Sequence, residues 1–152
     1  MTNLQISNSL TRSKDLFKPI NPTKVGMYVC GPTVYANPHV GNGRSLVVFD
    51  LLFRVLVQLY GKDNVTYIRN ITDVDDKIIE TSKQNNSSID KITTEVINNF
   101  HQNTKDLNCL VPSAEPKATE HIKDMIEMID SLIKKKISLC KRWTCLFFNF
   151  RI

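Results

Sequence analysis

The sequence predicts an α/β fold, parallel strands alternating with helices and then a helical segment, and three observations predict it. A short apolar strand, Gly26 to Cys30, runs into a turn punctuated by Gly and Pro. The apolar stretch from Leu46 to Tyr60 is too long for an ordinary strand and reads as a helix that is apolar almost all round. A β-branched run beginning at Val65 ends in Asn70, Ile71 and Thr72, and an acidic cluster then opens another helix.

Taken in order, residues 1–24 are polar with a few apolar anchors, Leu4, Ile6, Leu10, Leu16 and Phe17, and are expected to form an edge strand or extended arm. Asp50, Arg54 and Gln58 make the polar stripe of the 46–60 helix. Asp73, Asp75 and Asp76 have the residue type of metal-binding carboxylates, but carboxylates in a first turn are what the helix dipole favours, so capping of a helix over 75–84 is the simpler reading. Ser87 or Ser88 then caps a helix running to about Leu107, with Ile89, Ile92, Val96 and Phe100 on one face. Asn108 to Glu115 reads as a connector, and Pro116 fits the first turn of a last helix. Ile122, Met125, Ile126, Ile129, Leu132 and Ile133 recur at three- and four-residue steps and form its apolar stripe. From Leu139 the character breaks: LCKRWTCLFFNFRI shows neither alternation, helical period nor turn.

At 152 residues with 41% hydrophobic content, the chain has the size of one domain and enough apolar material for a core. A net charge of +5 would suit an RNA partner, but the excess sits late, at Lys134 to Lys136, Lys141 and Arg142, and Lys134 to Lys136 is most simply the solvated end of an amphipathic helix. No secretion signal stands at the amino terminus, and no apolar run approaches the roughly 20 residues of a membrane span. A cytoplasmic protein, monomeric if folded, is the expectation. The four cysteines form no C-x2-C pair, which argues against a disulfide framework.

The run MYVCGPTVYANPHVGNGRS, residues 27–45, carries the chemistry. A helix that follows such a turn points unpaired N–H groups and a partial positive charge at whatever lies above it, and Gly41 and Gly43 would let a phosphate approach. His39 and Arg44 would add donors, although His39 reads also as a satisfied surface or core histidine. Cys30, at the end of a buried strand beside a crevice, is either a small buried apolar residue or a ligand for a soft metal.

With VTYIRNITDVDDKII at 65–79 in view as well, the chain closely resembles the amino-terminal part of cysteinyl-tRNA synthetase, a class I aminoacyl-tRNA synthetase. The shared phrases are MYVCGPTVY, NITDVDDK and the HIGH signature, here His39, Val40, Gly41 and Asn42, and the likeness runs from about Leu4 to Ser138. The resemblance implies an incomplete Rossmann-type class I catalytic domain. Residues 1–86 would be the first half of its nucleotide-binding domain, 87–138 a helical segment leading into the connective insertion, and 139–152 an aberrant tail of the kind a shifted reading frame produces.

The family reaction thereby implied is attack of the cysteine carboxylate on the α-phosphorus of ATP, then transfer of cysteine to tRNA(Cys). By resemblance His39 and Asn42 are catalytic through charge stabilisation; Thr33, His39, Gly41 and Asn42 bind ATP; Gly31, Thr33 and Thr72 line the cysteine pocket; and Cys30 is a zinc ligand. Zinc would select a thiolate over a hydroxyl by coordination. The other three zinc ligands and the KMSKS loop have no counterpart here, and Cys109, Cys140 and Cys145 do not match the missing positions. Two departures stand inside the motif: Ala36 where the family usually has Asp, and Asn42 for the last His. The expectation is therefore a cysteine–tRNA ligase relative that is inactive alone. Alternatives are a non-catalytic remnant or weak RNA-binding fragment, and the related ligase that joins cysteine to an amino sugar in mycothiol synthesis.

Overall fold

A computed structural model describes residues 4–136, together with the backbone of 138–141 and 144–147. The chain opens with an antiparallel hairpin, β1 (Gln5–Asn8) and β2 (Ser13–Leu16), where an arm or a lone edge strand was expected. Arg12 takes a left-handed conformation at the turn, φ 56°, and the Asp15 carboxylate gathers the Ser13, Thr11 and Asn8 side chains. Those hydrogen bonds, Ser13 first, hold the Asp15 carboxyl below its ordinary range.

Next comes the strand–helix–strand unit. Strand β3 (Val25–Val29) pairs in parallel with β4 (Val65–Arg69), in register from Val25 opposite Val65 to Val29 opposite Arg69, and α1 (Val40–Tyr60) connects them. Alternate strand residues Val25, Met27, Val29, Val65 and Tyr67 turn inward against Phe53 and Leu56 of α1. At about 1.5–3 kcal/mol for each large apolar side chain taken from water, this layer is the main stabilising core. Phe53 and Tyr67 stack at 5.1 Å between centroids, and Phe17 closes the lower end against Tyr60.

Helix α1 starts six residues before the apolar stretch, because His39 caps it, so Gly41 and Gly43 lie in its first turn. It is also less buried than an all-round apolar helix should be: Val47, Val48 and Leu51 face outward. Asp50, placed on the polar stripe, is buried instead. It accepts from Arg54 Nε at 2.6 Å and from the Leu110 N–H at 2.7 Å, and so ties α1 to the segment after the third helix.

Asp75 caps α2 (Asp76–Gln84), and Ser88 caps α3 (Ile89–Asp106), as their sequences indicate. Asn86 and Asn108 then end these helices in the left-handed region that Asn tolerates. Val34, Ile71, Ile78, Ile92 and Val96 form a second core that seats α2 and α3 beside the strand ends. Asp73 lies ahead of the α2 cap and, among the described residues, in no cluster of metal-ligating side chains. It is buried, and accepts from the Thr119 N–H at 3.0 Å and from the Thr119 hydroxyl.

The stretch after Asn108 is more than a connector. Residues 113–118 run parallel to the free side of β4, with the Ser113 N–H on the Tyr67 carbonyl, the Arg69 N–H on that of Ala114, and the Ile71 N–H on that of Pro116. Pro116 therefore sits in an extended run and not in a helix's first turn. Its missing N–H is harmless because its carbonyl makes the contact. A short 3-10 turn, Ala118–His121, leads into α4 (Ile122–Lys134). Beyond it the backbone pairs as a hairpin, β5 (Ser138–Lys141) with β6 (Thr144–Phe147), although the sequence offers no turn signal. Trp143, Phe148, Phe150 and Arg151, on which the reading of an unpatterned tail partly rests, lie outside the described residues.

Candidate active site

The two motif runs meet at the carboxyl ends of β3 and β4. Beyond the strands the chains stay paired: the Thr72 N–H donates to the Pro32 carbonyl at 3.0 Å, the Val34 N–H to the Thr72 carbonyl at 3.1 Å, and the Gly31 N–H to Asn70 Oδ1 at 2.8 Å. Gly31 is required here. A Cβ on it would lie 1.5 Å from the Asn70 carbonyl oxygen, inside any contact distance. GPT and NIT are thus two sides of one junction.

Two adjoining cavities, of about 120 and 280 Å³, open above this junction. The smaller is bordered by Cys30, Gly31 and Asn42 and backed by Tyr67, Arg69 and Phe100; the larger by Gly31, Thr33, His39 and Asn42. Of the residues expected at the site, Cys30, Gly31, Thr33, His39 and Asn42 therefore converge. Gly41 and Thr72 do not line either cavity: Gly41 lies against the His39 ring, and Thr72 contributes backbone to the junction while its hydroxyl oxygen accepts from Asn70 Nδ2 at 3.4 Å. Arg44 and Gly43 fall elsewhere, on the outward side of α1 with Val47, Val48 and Leu107.

At the head of α1, His39 Nδ1 accepts from the Gly41 N–H at 3.0 Å, and Asn42 Oδ1 accepts from the His39 N–H at 3.0 Å. This reciprocal arrangement satisfies two of the donors that a helix start leaves over. No acidic side chain lies in the first turn, so the positive end of the helix dipole is not offset there.

Sequence reasoning missed the back wall. Phe100 and Val96 of α3 border the cavities, and Asn99 Nδ2 of the same helix donates to Asn37 Oδ1 at 2.8 Å, holding the turn ahead of His39. Arg69, 3% exposed, donates from Nε and Nη2 to Glu115 Oε1 at 3.0 and 2.7 Å and lies 4.8 Å from the Phe100 ring centre. His101 Nε2 meets the other Glu115 oxygen at 2.8 Å. Burial pushes the Tyr67 phenol up, with Arg69 opposing. The stripe of α3 announced Phe100 and Val96 as core; what they would face was not in the stripe.

Cys30 is exposed at the mouth of the smaller cavity. Among the described residues no three His, Cys, Asp or Glu side chains come together as a metal site, so the residues present do not by themselves fit zinc. Cys109 is no substitute: burial and the nearby Asp50 push its thiol up, away from the thiolate a metal needs.

Comparison with known proteins bears directly on this geometry. The family model for the class I (C) tRNA synthetase catalytic domain matches residues 16–149. The chain belongs to that family. It is 56% identical over 128 residues to the cysteine–tRNA ligase of Rickettsia felis, covering 84% of this chain and 28% of that protein, and 55% identical over 130 residues to that of Pelagibacter ubique, covering 86% and 29%. The chain thus spans somewhat over a quarter of the length of these curated relatives. A LeuRS from Agrobacterium radiobacter K84, solved in a ternary complex with tRNA and LeuAMS, superposes with a TM-score of 0.64 at 17% identity, covering 80% of this chain and 16% of that one. That likeness establishes the α/β class I fold. The family match continues into the β5–β6 hairpin. Among the described residues no helix is long and apolar enough to cross a membrane.

Proposed function

We propose that this chain supplies the nucleotide-binding half of a cysteine–tRNA ligase site, acting on ATP, cysteine and tRNA(Cys) in the cytoplasm. The observation that carries the reading is the junction of Gly31–Thr33 with Asn70–Thr72 beneath the His39 cap, in a chain that belongs to the cysteine-type family. Ligands of open parallel sheets bind outside the carboxyl ends of the strands, where these residues converge.

In the proposed reaction the cysteine carboxylate attacks the α-phosphorus of ATP, a P–O bond forms, and pyrophosphate leaves with the electron pair of the bond broken. Negative charge grows on the phosphate oxygens. The His39 ring and the Asn42 amide at the unneutralised head of α1 are the donors suited to stabilise it, an electrostatic role needing no proton transfer. Gly31 lets the two strand ends close into one junction bordering both cavities, Thr33 borders the larger cavity, and Thr72 orders the floor. Cys30 would be the one family zinc ligand on this chain. With a single such ligand and one of the two nucleotide signatures, the 152 residues alone are proposed to bind nucleotide without completing activation.

Titration of the purified chain with a non-hydrolysable cysteinyl-adenylate analogue tests this. Saturable binding that falls at least tenfold in His39→Ala is expected, with no cysteine-dependent exchange of pyrophosphate into ATP. Binding unchanged by His39→Ala would remove the crevice from the reading, and exchange abolished by Cys30→Ala would show a complete activity.

A further inference from the structure

We infer that His39 is locked as a donor through Nε2–H alone, that Gly41 exists to seat its ring, and that Asn42 is the positioning residue of the lock. The inference deepens the nucleotide reading and rests on it only for the identity of the acceptor.

The Gly41 N–H can only donate, so the ring nitrogen 3.0 Å from it, Nδ1, must accept and carries no proton. The one proton of the neutral imidazole is then on Nε2. The same reasoning orients Asn42. The His39 N–H, 3.0 Å from the amide, needs an acceptor, which fixes Oδ1 toward it and leaves both Nδ2 hydrogens for the cavities that Asn42 borders. Neither donor is chosen by the ligand. Both are chosen beforehand by the backbone of α1.

Gly41 is explained by the same contact. A Cβ there would lie 2.8 Å from His39 Cε1 and 3.0 Å from Nδ1, so any side chain drives the ring off the N–H it covers. With the backbone of His39 extended, at φ −107° and ψ 175°, nothing else in the turn is strained. The spacing H-x-G-N is therefore a self-capped histidine: the cap residue, a residue with no side chain beneath its ring, and an amide one turn on that holds the cap's own N–H. Two donors are fixed before an oxyanion arrives, which removes the ordering cost that free side chains would add on binding.

The chain with 15N-labelled imidazoles reports the lock directly. In long-range 1H–15N spectra at pH 8, above the ordinary imidazole range, His39, assigned by its loss in His39→Gln, should show the Nε2–H pattern. Asn42→Asp keeps the Oδ1 acceptor and should keep that pattern, whereas Asn42→Ala should relax it toward a mixture and Gly41→Ala should abolish it. In a second arm, a magnesium complex of a non-hydrolysable ATP analogue should bind wild type and lose about tenfold in Asn42→Asp, which retains the cap but lacks the donor. An Nδ1–H or averaged tautomer in the unmodified chain would overturn the lock, as would an unchanged pattern in Gly41→Ala. An intact Nε2–H pattern with no nucleotide binding would support the lock and overturn the nucleotide reading instead.

Discussion

Helix α1 buries Phe53 and Leu56 against the β3–β4 pair, whereas α4, whose sequence carries the cleaner apolar stripe, buries none of its side chains and brings only Ile129 and Leu132 to half-burial. Met128 and Ile126 remain 60% and 55% exposed. The period of a stripe states which face of a helix must be covered; it says nothing about what covers it. For α1 the cover is supplied by the strands on either side of it in the chain. For α4, contacts with the 3-10 turn before it and the backbone of β5 after it leave the stripe exposed.

The contrast can be broken at several points, the largest first. Phe53→Ala should cost about 3–5 kcal/mol, as large aromatic truncations in a packed core do, while Met128→Ala should change stability by less than about 0.5 kcal/mol; chemical denaturation of both variants makes the comparison, and equal losses would mean that α4 is covered in solution. Gly31→Ala should cost at or above the upper end of the about 1–3 kcal/mol typical of overpacking, because the obstacle is the Asn70 backbone and not a side chain that could swing aside. Loss of the cooperative thermal transition is the readout.

Polar anchors give the next step down. Asp50→Ala leaves the Leu110 N–H and Arg54 Nε without their acceptor, at about 1–3 kcal/mol. Removing Glu127 on α4, exposed and 3.9 Å from Lys123, should leave the melting temperature where it is. Smaller still is a pH effect confined to the β1–β2 hairpin. The Asp15 carboxyl titrates lower folded than unfolded, so its contribution is present above the ordinary carboxylate range and is lost as pH falls through the folded value. Backbone amide shifts of residues 7–14 should then change with pH in the unmodified chain and lose that dependence in Asp15→Asn, with α1 unaffected.

Local signals were legible in the sequence: the strand at 25–29, the caps Asp75 and Ser88, and the residues at the crevice, Cys30, Gly31, Thr33, His39 and Asn42. The strand, the caps, Cys30 and His39 follow from residue type and spacing within a few positions, whereas Gly31, Thr33 and Asn42 come from the resemblance to the cysteine-type family. What escaped depends on contacts between distant segments. Asp50 reads as part of a polar stripe, Asp73 as one of an acidic cluster, and Arg69 carries no signal at all, yet each is buried because a partner some 46 to 60 residues on reaches it: Leu110, Thr119 and Glu115. Pro116 reads as a helix opener, and is extended because β4 had an unfilled edge. Gly41 reads as a place where phosphate meets backbone, while the structure gives the space of its missing side chain to the His39 ring.

The parallel pairing of β4 on both of its edges also sets an order of events during synthesis. Gly31 and Asn70 are 39 residues apart, and Tyr67 and Ser113 are 46 apart, so none of the contacts that build the crevice floor can form within a short emerging segment. Helices α1 and α3 can coil as they leave the ribosome, but β4 must wait with one edge open until residue 118 has appeared. Over that interval, at about 5–20 residues per second, the backbone groups of Tyr67, Arg69 and Ile71 that residues 113–118 will pair with have no partner on that edge. A stall or nascent-chain capture placed between residues 72 and 118 would catch the polypeptide at its most adhesive stage.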